Sequence, residues 1–154
     1  MPERVADYPR PPRLEPSTRR LRIEFGGEVA AETDAAWRVL ETYHPPVWYL
    51  PPAAFRPGVL RPAAGGSFCE WKGTARYWRL AQGGRVAERT GWSYPSPTAG
   101  FLPIRDHVAV YAGPMDGCFV DGERVRPQPG GFYGGWITDD LEGPFKGEPG
   151  TLGW

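Results

Sequence analysis

The chain carries no excess of charge: Lys+Arg and Asp+Glu are both 18 in 154 residues, a formal net charge of zero. A nucleic-acid binder draws its affinity from neutralising phosphates with a cationic face, and a polybasic membrane anchor needs a clustered positive excess. The balance argues against both partners. Long apolar runs are also missing, and none approaches the roughly 18 residues of a membrane span. The opening Met-Pro-Glu-Arg-Val-Ala-Asp has no apolar signal core, so a cytoplasmic location is expected. Cysteine is scarce. Cys69 and Cys118 are too few for a disulfide framework and read as free thiols. Nor does a phosphate-cradling Gly-x-x-x-x-Gly-Lys-Ser/Thr loop occur, since Lys146 precedes its glycine.

Glycine and proline are abundant instead, at 21 and 19 residues, a level that alone would suggest low complexity. Seven Trp, seven Tyr and seven Phe accompany them. Disordered chains are poor in aromatics because they cannot bury enough apolar surface to offset the entropy of ordering. Many turns holding an aromatic-rich β core fit both facts, and the length suits one domain.

Residues 1–18, with Pro2, Pro9, Pro11, Pro12 and Pro16, are expected to form an extended Pro-rich tail or strap. Leu21, Ile23 and Phe25 alternate with polar residues, and Gly26-Gly27 then signals a hairpin. Thr33–Tyr43 reads as a helix, with Thr33 as N-cap and an apolar stripe of Ala36, Trp37, Leu40 and Tyr43 ended by Pro45. At its C-terminal end Glu41 and His44 are placed to lean into a site. His44–Pro52 must be extended and kept out of the middle of a sheet by its prolines. Residues 53–66 read as a connector.

Ser67–Trp78 then gathers Cys69, Glu70, Trp71, Lys72 and Trp78 in one strand-like run. In a straight strand Cys69 and Lys72 face opposite ways, so a shared site requires a break, for which Gly73 is the place. Gln82-Gly83-Gly84 and Asp121-Gly122 mark two more hairpins, and Val108–Val110 lies in another strand. Residues 129–154 form a Gly/aromatic C-terminal belt expected to pack on a core of residues 19–128. Three hairpins and one short helix without a βαβ pattern mean a mainly β, antiparallel domain.

Several stretches resemble the bacterial domain-of-unknown-function family 427. They are Ala31-Glu-Thr33, Arg38 with Glu41, Pro46-Val-Trp-Tyr-Leu-Pro51, Cys69-Glu-Trp-Lys-Gly73 with Ala75 and Tyr77, Trp92-Ser-Tyr-Pro95 with Pro97, and Val120-Asp-Gly-Glu123. The resemblance implies a β-tent, in which two antiparallel sheets meet at an angle. Many β-tent proteins hold zinc through two Cys-x-x-Cys pairs. This chain has none, and His44, Cys69, His107 and Cys118 fit no knuckle spacing, so no metal or other cofactor is expected. The family is also sometimes labelled nucleotidyltransferase, which no motif here supports.

Three functions from different classes follow. A small-molecule pocket would use Arg38, Glu41, Tyr49, Cys69, Lys72, Trp92 and Tyr94, with aromatic walls around Lys72 and Glu41 as binding or catalytic groups. The bland counterpart of that reading is a buried Lys72–Glu41 pair. A thiol enzyme would act through Cys69, with the adjacent Lys72 favouring the thiolate. An interaction module, homo-oligomeric or docking a partner, would use the aromatic belt and the Pro-rich tail.

Overall fold

The computed structural model of the chain describes residues 2–69, 72–129 and 133–148. Strands β1 (Glu3–Arg4), β2 (Arg13–Ser17), β3 (Leu21–Phe25), β4 (Glu28–Thr33), β5 (Ala36–Leu40) and β6 (Val47–Tyr49) come first. β7 (Leu60–Cys69), β8 (Gly73–Gln82), β9 (Arg85–Ser93) and β10 (Val108–Val110) follow. The last are β11 (Gly117–Val120), β12 (Glu123–Arg124), β13 (Arg126–Pro127), β14 (Trp136–Ile137) and β15 (Leu141–Glu142). Two four-stranded antiparallel sheets, β10-β9-β8-β7 and β12-β11-β3-β4, carry the fold, with a three-stranded sheet β2-β5-β6. Short pairs β1-β15 and β13-β14 complete it, and the mainly β expectation holds.

The three hairpins form at their turn signals. Gly26 and Gly27 have φ of 64° and 82°, Gly83 and Gly84 of 60° and 80°, and Asp121 and Gly122 of 49° and 83°. Positive φ at both central positions matches the right-handed twist of the flanking strands. The first two tips also meet. A Cβ on Gly26 would stand 2.1 Å from the Gln82 carbonyl oxygen, and the Gln82 side-chain amide donates to the Phe25 carbonyl at 2.8 Å. This contact links the two larger sheets. Leu21, Ile23 and Phe25, all 0% exposed, form the centre of the main apolar cluster with Leu50, Leu80, Val108 and Trp136.

The helix expected over Thr33–Tyr43 does not form. Among the described residues the only helical elements are 3-10 turns. Residues 36–40 are β5, the central strand of its sheet, with Arg38 opposite Glu15 of β2 and Trp48 of β6. An isolated segment this short gains little from helix propensity, and Trp37, Val39 and Thr42 favour extended backbone. Hydrogen bonds on both edges decide the outcome. Thr33 ends β4 instead of capping a helix, its Oγ1 accepting from the Ala35 N–H at 3.0 Å.

The run Ser67–Trp78 is not one strand either. β7 and β8 are antiparallel partners with Cys69 opposite Gly73, so the chain reverses between these two residues. Gly73, at φ 104°, supplies the positive-φ residue that closes such a three-residue loop. Glu70 and Trp71 lie outside the described residues. The connector expected over 53–66 is largely β7 itself. Pro62 is tolerated because β7 is an edge strand, and the register shifts between Pro62 and Gly66.

The Pro-rich start is tied down. β2 pairs with β5, and Val5 and Tyr8 bury against Leu40, Ile137 and Phe145. In the belt, Trp136 is 1% exposed and donates from Nε1 to the Val110 carbonyl at 3.0 Å. Its Gly130–Phe132 and Pro149–Trp154 portions lie outside the described residues. No helix among the described residues is long and apolar enough to cross a membrane.

Candidate functional site

A cavity of about 400 Å³ lies where the segment 41–49, the β7–β8 turn, β9 with its extension, and the belt come together. This is the size of a small-molecule site. Glu41, Tyr49, Cys69, Lys72, Trp92 and Tyr94 all line it. The reversal between Cys69 and Gly73 is what brings Cys69 and Lys72 to one wall.

Arg38 does not line the cavity. It is 12% exposed at the side chain, and its two terminal nitrogens bind both Glu3 oxygens at 2.9 Å. Its Nε donates to Glu15 Oε1 at 2.8 Å. In a strand Arg38 and Glu41 point away from one another, whereas the expected helix would have made them neighbours. Arg38 instead clamps the N-terminal segment onto β5. The clamp and the Tyr8 hydroxyl, which donates to Glu3 at 2.7 Å, hold the Glu3 carboxyl at about 2.

The inner wall is phenolic. Tyr49 is 1% and Tyr94 5% exposed, with rings 6.3 Å apart, and Trp92 Nε1 donates to the Tyr49 hydroxyl at 3.3 Å. Burial pushes both phenols up, so they stay neutral. At Tyr94 the neighbouring Tyr49 adds to the rise and Lys72 opposes it. Trp92 also packs on Tyr111, centroids 4.7 Å apart. Gly134 approaches the Trp92 ring so closely that a Cβ there would stand 2.1 Å from it. Only glycine fits that wall.

Lys72 Nζ stands 5.9 Å from the ring centres of both Tyr94 and Phe101, within cation–π range. The Lys72–Glu41 pair is not formed. Glu41 faces His44 instead, Oε2 to Nε2 at 3.9 Å. No carboxylate among the described residues lies within ion-pair distance of the Lys72 ammonium.

Gln128, 4% exposed, organises the opposite side. Its Oε1 accepts from the Gly135 N–H at 3.1 Å, and its Nε2 donates to the Lys146 carbonyl at 2.8 Å. That Nε2 also stands 3.2 Å from His44 Nδ1. His44 is displaced downward, first by burial and then by the charges of Lys146, Arg10 and Lys72, with Glu41 opposing. It is therefore a neutral imidazole near pH 7.

The two thiols are separated by environment. Cys69 is half-buried at the cavity, whereas Cys118 is 1% exposed within the main core, where burial pushes its thiol up. No cluster of three or more His, Cys, Asp or Glu side chains suited to a metal ion occurs among the described residues.

Tyr77, Tyr111, Gln128, Tyr133 and Lys146 also line the cavity and are not among the site residues expected from the sequence, although Tyr77 belongs to the family motif. One signal was available for Lys146. Of 18 cationic side chains 16 are arginine, and the two lysines, Lys72 and Lys146, both reach this cavity. Gln128, Tyr133 and Lys146 gave no local pattern beyond the aromatic belt.

No curated protein matches the chain. The family model described as Domain of unknown function (DUF427), and named NTP_transf_9, matches residues 13–121. The cavity wall made by Gln128, Tyr133, Gly134 and Lys146 lies beyond that match. With most of its length matched, the chain belongs to the DUF427 family.

Proposed function

We propose that the protein binds a compact, ring-bearing small molecule in the Tyr49–Lys72–Trp92 cavity. One observation carries the reading: separate chain segments deliver aromatic walls and a few polar groups to a single concavity of about 400 Å³. Aromatic faces with sparse convergent polar groups are the usual form of a ligand site. An ammonium with no carboxylate partner among the described residues also distinguishes it from a structural ion pair. The groups available for chemistry on such a ligand are the Lys72 amine, the Glu41 carboxylate and the Cys69 thiol. Benzamide, benzoate and phenyl phosphate serve as probes, followed by indole and backbone N–H resonances. Saturable shifts at Trp92, Tyr94 and Lys72 are the expected result. Their absence with all three compounds, or shifts confined to other surfaces, would remove the reading.

A second reading is favoured by the presence of Cys69 in the same cavity, where its thiol would add to an electrophilic ligand. A disulfide cycle within one chain lacks its second thiol, because Cys118 sits in the main core. Iodoacetamide should modify Cys69 in the folded protein and Cys118 only on unfolding. Equal modification of both in the folded state would contradict the burial on which this rests. Full retention of ligand turnover by Cys69→Ser would end the thiol reading.

A further inference from the structure

The geometry points to an anionic ligand: a ring compound bearing a carboxylate or phosphate, held by the Lys72 ammonium and the Nε2–H of His44. The assignment deepens the small-molecule reading and rests on it. Three independent features lead to it.

The first is charge. Among the described residues the Lys72 ammonium has no carboxylate within ion-pair distance, and Glu41, the carboxylate that lines the cavity, is directed toward His44. The Lys72 ammonium thus stands in a space walled by aromatic rings, where screening by water is reduced.

The second is the wiring of His44. The Gln128 carbonyl oxygen is committed to the Gly135 N–H, so the group facing Lys146 and His44 is the NH₂. One amide hydrogen goes to the Lys146 carbonyl and the other to His44 Nδ1. Nδ1 must therefore offer its lone pair, and the proton of the neutral ring sits on Nε2. At 3.9 Å the Glu41 oxygen is beyond hydrogen-bond distance, and no acceptor among the described residues satisfies that donor. Gln128 is a positioning residue. It presents an N–H where a neutral histidine left to itself would present either nitrogen.

The third is the set of groups acting on the imidazole. Glu41 from the preceding turn, Lys146 from the belt, Arg10 from the N-terminal segment and Lys72 from the β7–β8 turn all act on it, and Tyr133 packs edge-on at 5.1 Å. Burial first, and then the three cations against Glu41, hold the ring neutral. A second proton on Nδ1 would face the Gln128 N–H, so the anion meets a neutral imidazole that donates from Nε2.

The same three probes in His107→Gln protein, which leaves His44 as the only imidazole, test the assignment. Benzoate and phenyl phosphate should bind at least tenfold more tightly than benzamide, and the ratio of the first two identifies the preferred acid. Lys72→Met should lower affinity for both anions tenfold or more with benzamide within twofold, and Lys72→Arg should restore most of the loss. Imidazole ¹⁵N shifts should show a protonated Nε2 and an unprotonated Nδ1 in the free protein, and the same tautomer in the anion complex. Benzamide binding as tightly as benzoate, or anion affinity unchanged in Lys72→Met, overturns the anionic assignment and leaves the cavity reading standing. A proton on Nδ1 overturns the role given to Gln128 and His44. Failure of all three probes to bind overturns the cavity reading as well.

Discussion

Arg38→Met separates a structural role for this arginine from the ligand-binding role expected of it. The substitution keeps the length of the side chain and removes the guanidinium that two carboxylates share. Breaking a fully buried pair costs about 3–5 kcal/mol, because a charge is left uncompensated. Here Glu3 and Glu15 are 44% and 32% exposed at the side chain, so water takes over part of the task. A loss of about 2 kcal/mol is expected, read in urea, with Tm lower by about 4–8 °C for a domain of this size.

The gap must also depend on acid. The Glu3 carboxyl lies at about 2 against a usual 4.5, so its contribution is present above pH 4.5 and lost as pH falls through 2. At about 1.4 kcal/mol per pH unit the ceiling is about 3.4 kcal/mol, and solvent screening lowers it to about 1 kcal/mol. The stability difference between wild type and Arg38→Met should therefore narrow between pH 4.5 and 2. Probe affinities should not change, because Arg38 does not line the cavity. Unchanged stability, a gap independent of pH, or lost binding at full stability would each refute the clamp.

Two further stability measurements address the fold. Gly84→Ala, at φ 80° with open space around the new methyl, should cost about 1–2 kcal/mol. Gly26→Ala places its Cβ 2.1 Å from the Gln82 oxygen and should cost at least twice as much; equal costs would deny the contact between hairpin tips. Thr90→Val should stabilise by about 1 kcal/mol, since Thr90 is 1% exposed and its hydroxyl has no partner among the described residues. A loss of stability there would mean that the hydroxyl is hydrogen-bonded in solution.

What was legible in the sequence is what short-range chemistry controls. Gly26-Gly27, Gly83-Gly84 and Asp121-Gly122 specify their turns because few other residues accept positive φ at adjacent positions. The alternation of Leu21, Ile23 and Phe25 specifies a buried strand face by period alone. The motif residues around Cys69 and Trp92 carry the family resemblance in the sequence itself.

The tertiary structure decided the rest. Ala36–Leu40 carries a stripe that satisfies both a helix and a strand, and pairing with β2 and β6 on its two edges selects the strand. That choice turned Arg38 away from Glu41. The reversal between Cys69 and Gly73 depends on β7 finding β8 across a whole sheet edge, which local pattern does not encode. Above all, Gln128 and Lys146 reach His44 across 84 and 102 positions of chain, and no periodicity reports such a meeting. The sequence determined the alphabet of turns, the β class and the family. Long-range strand pairing alone decided which polar groups share a cavity, because their convergence depends on contacts between segments distant in the chain.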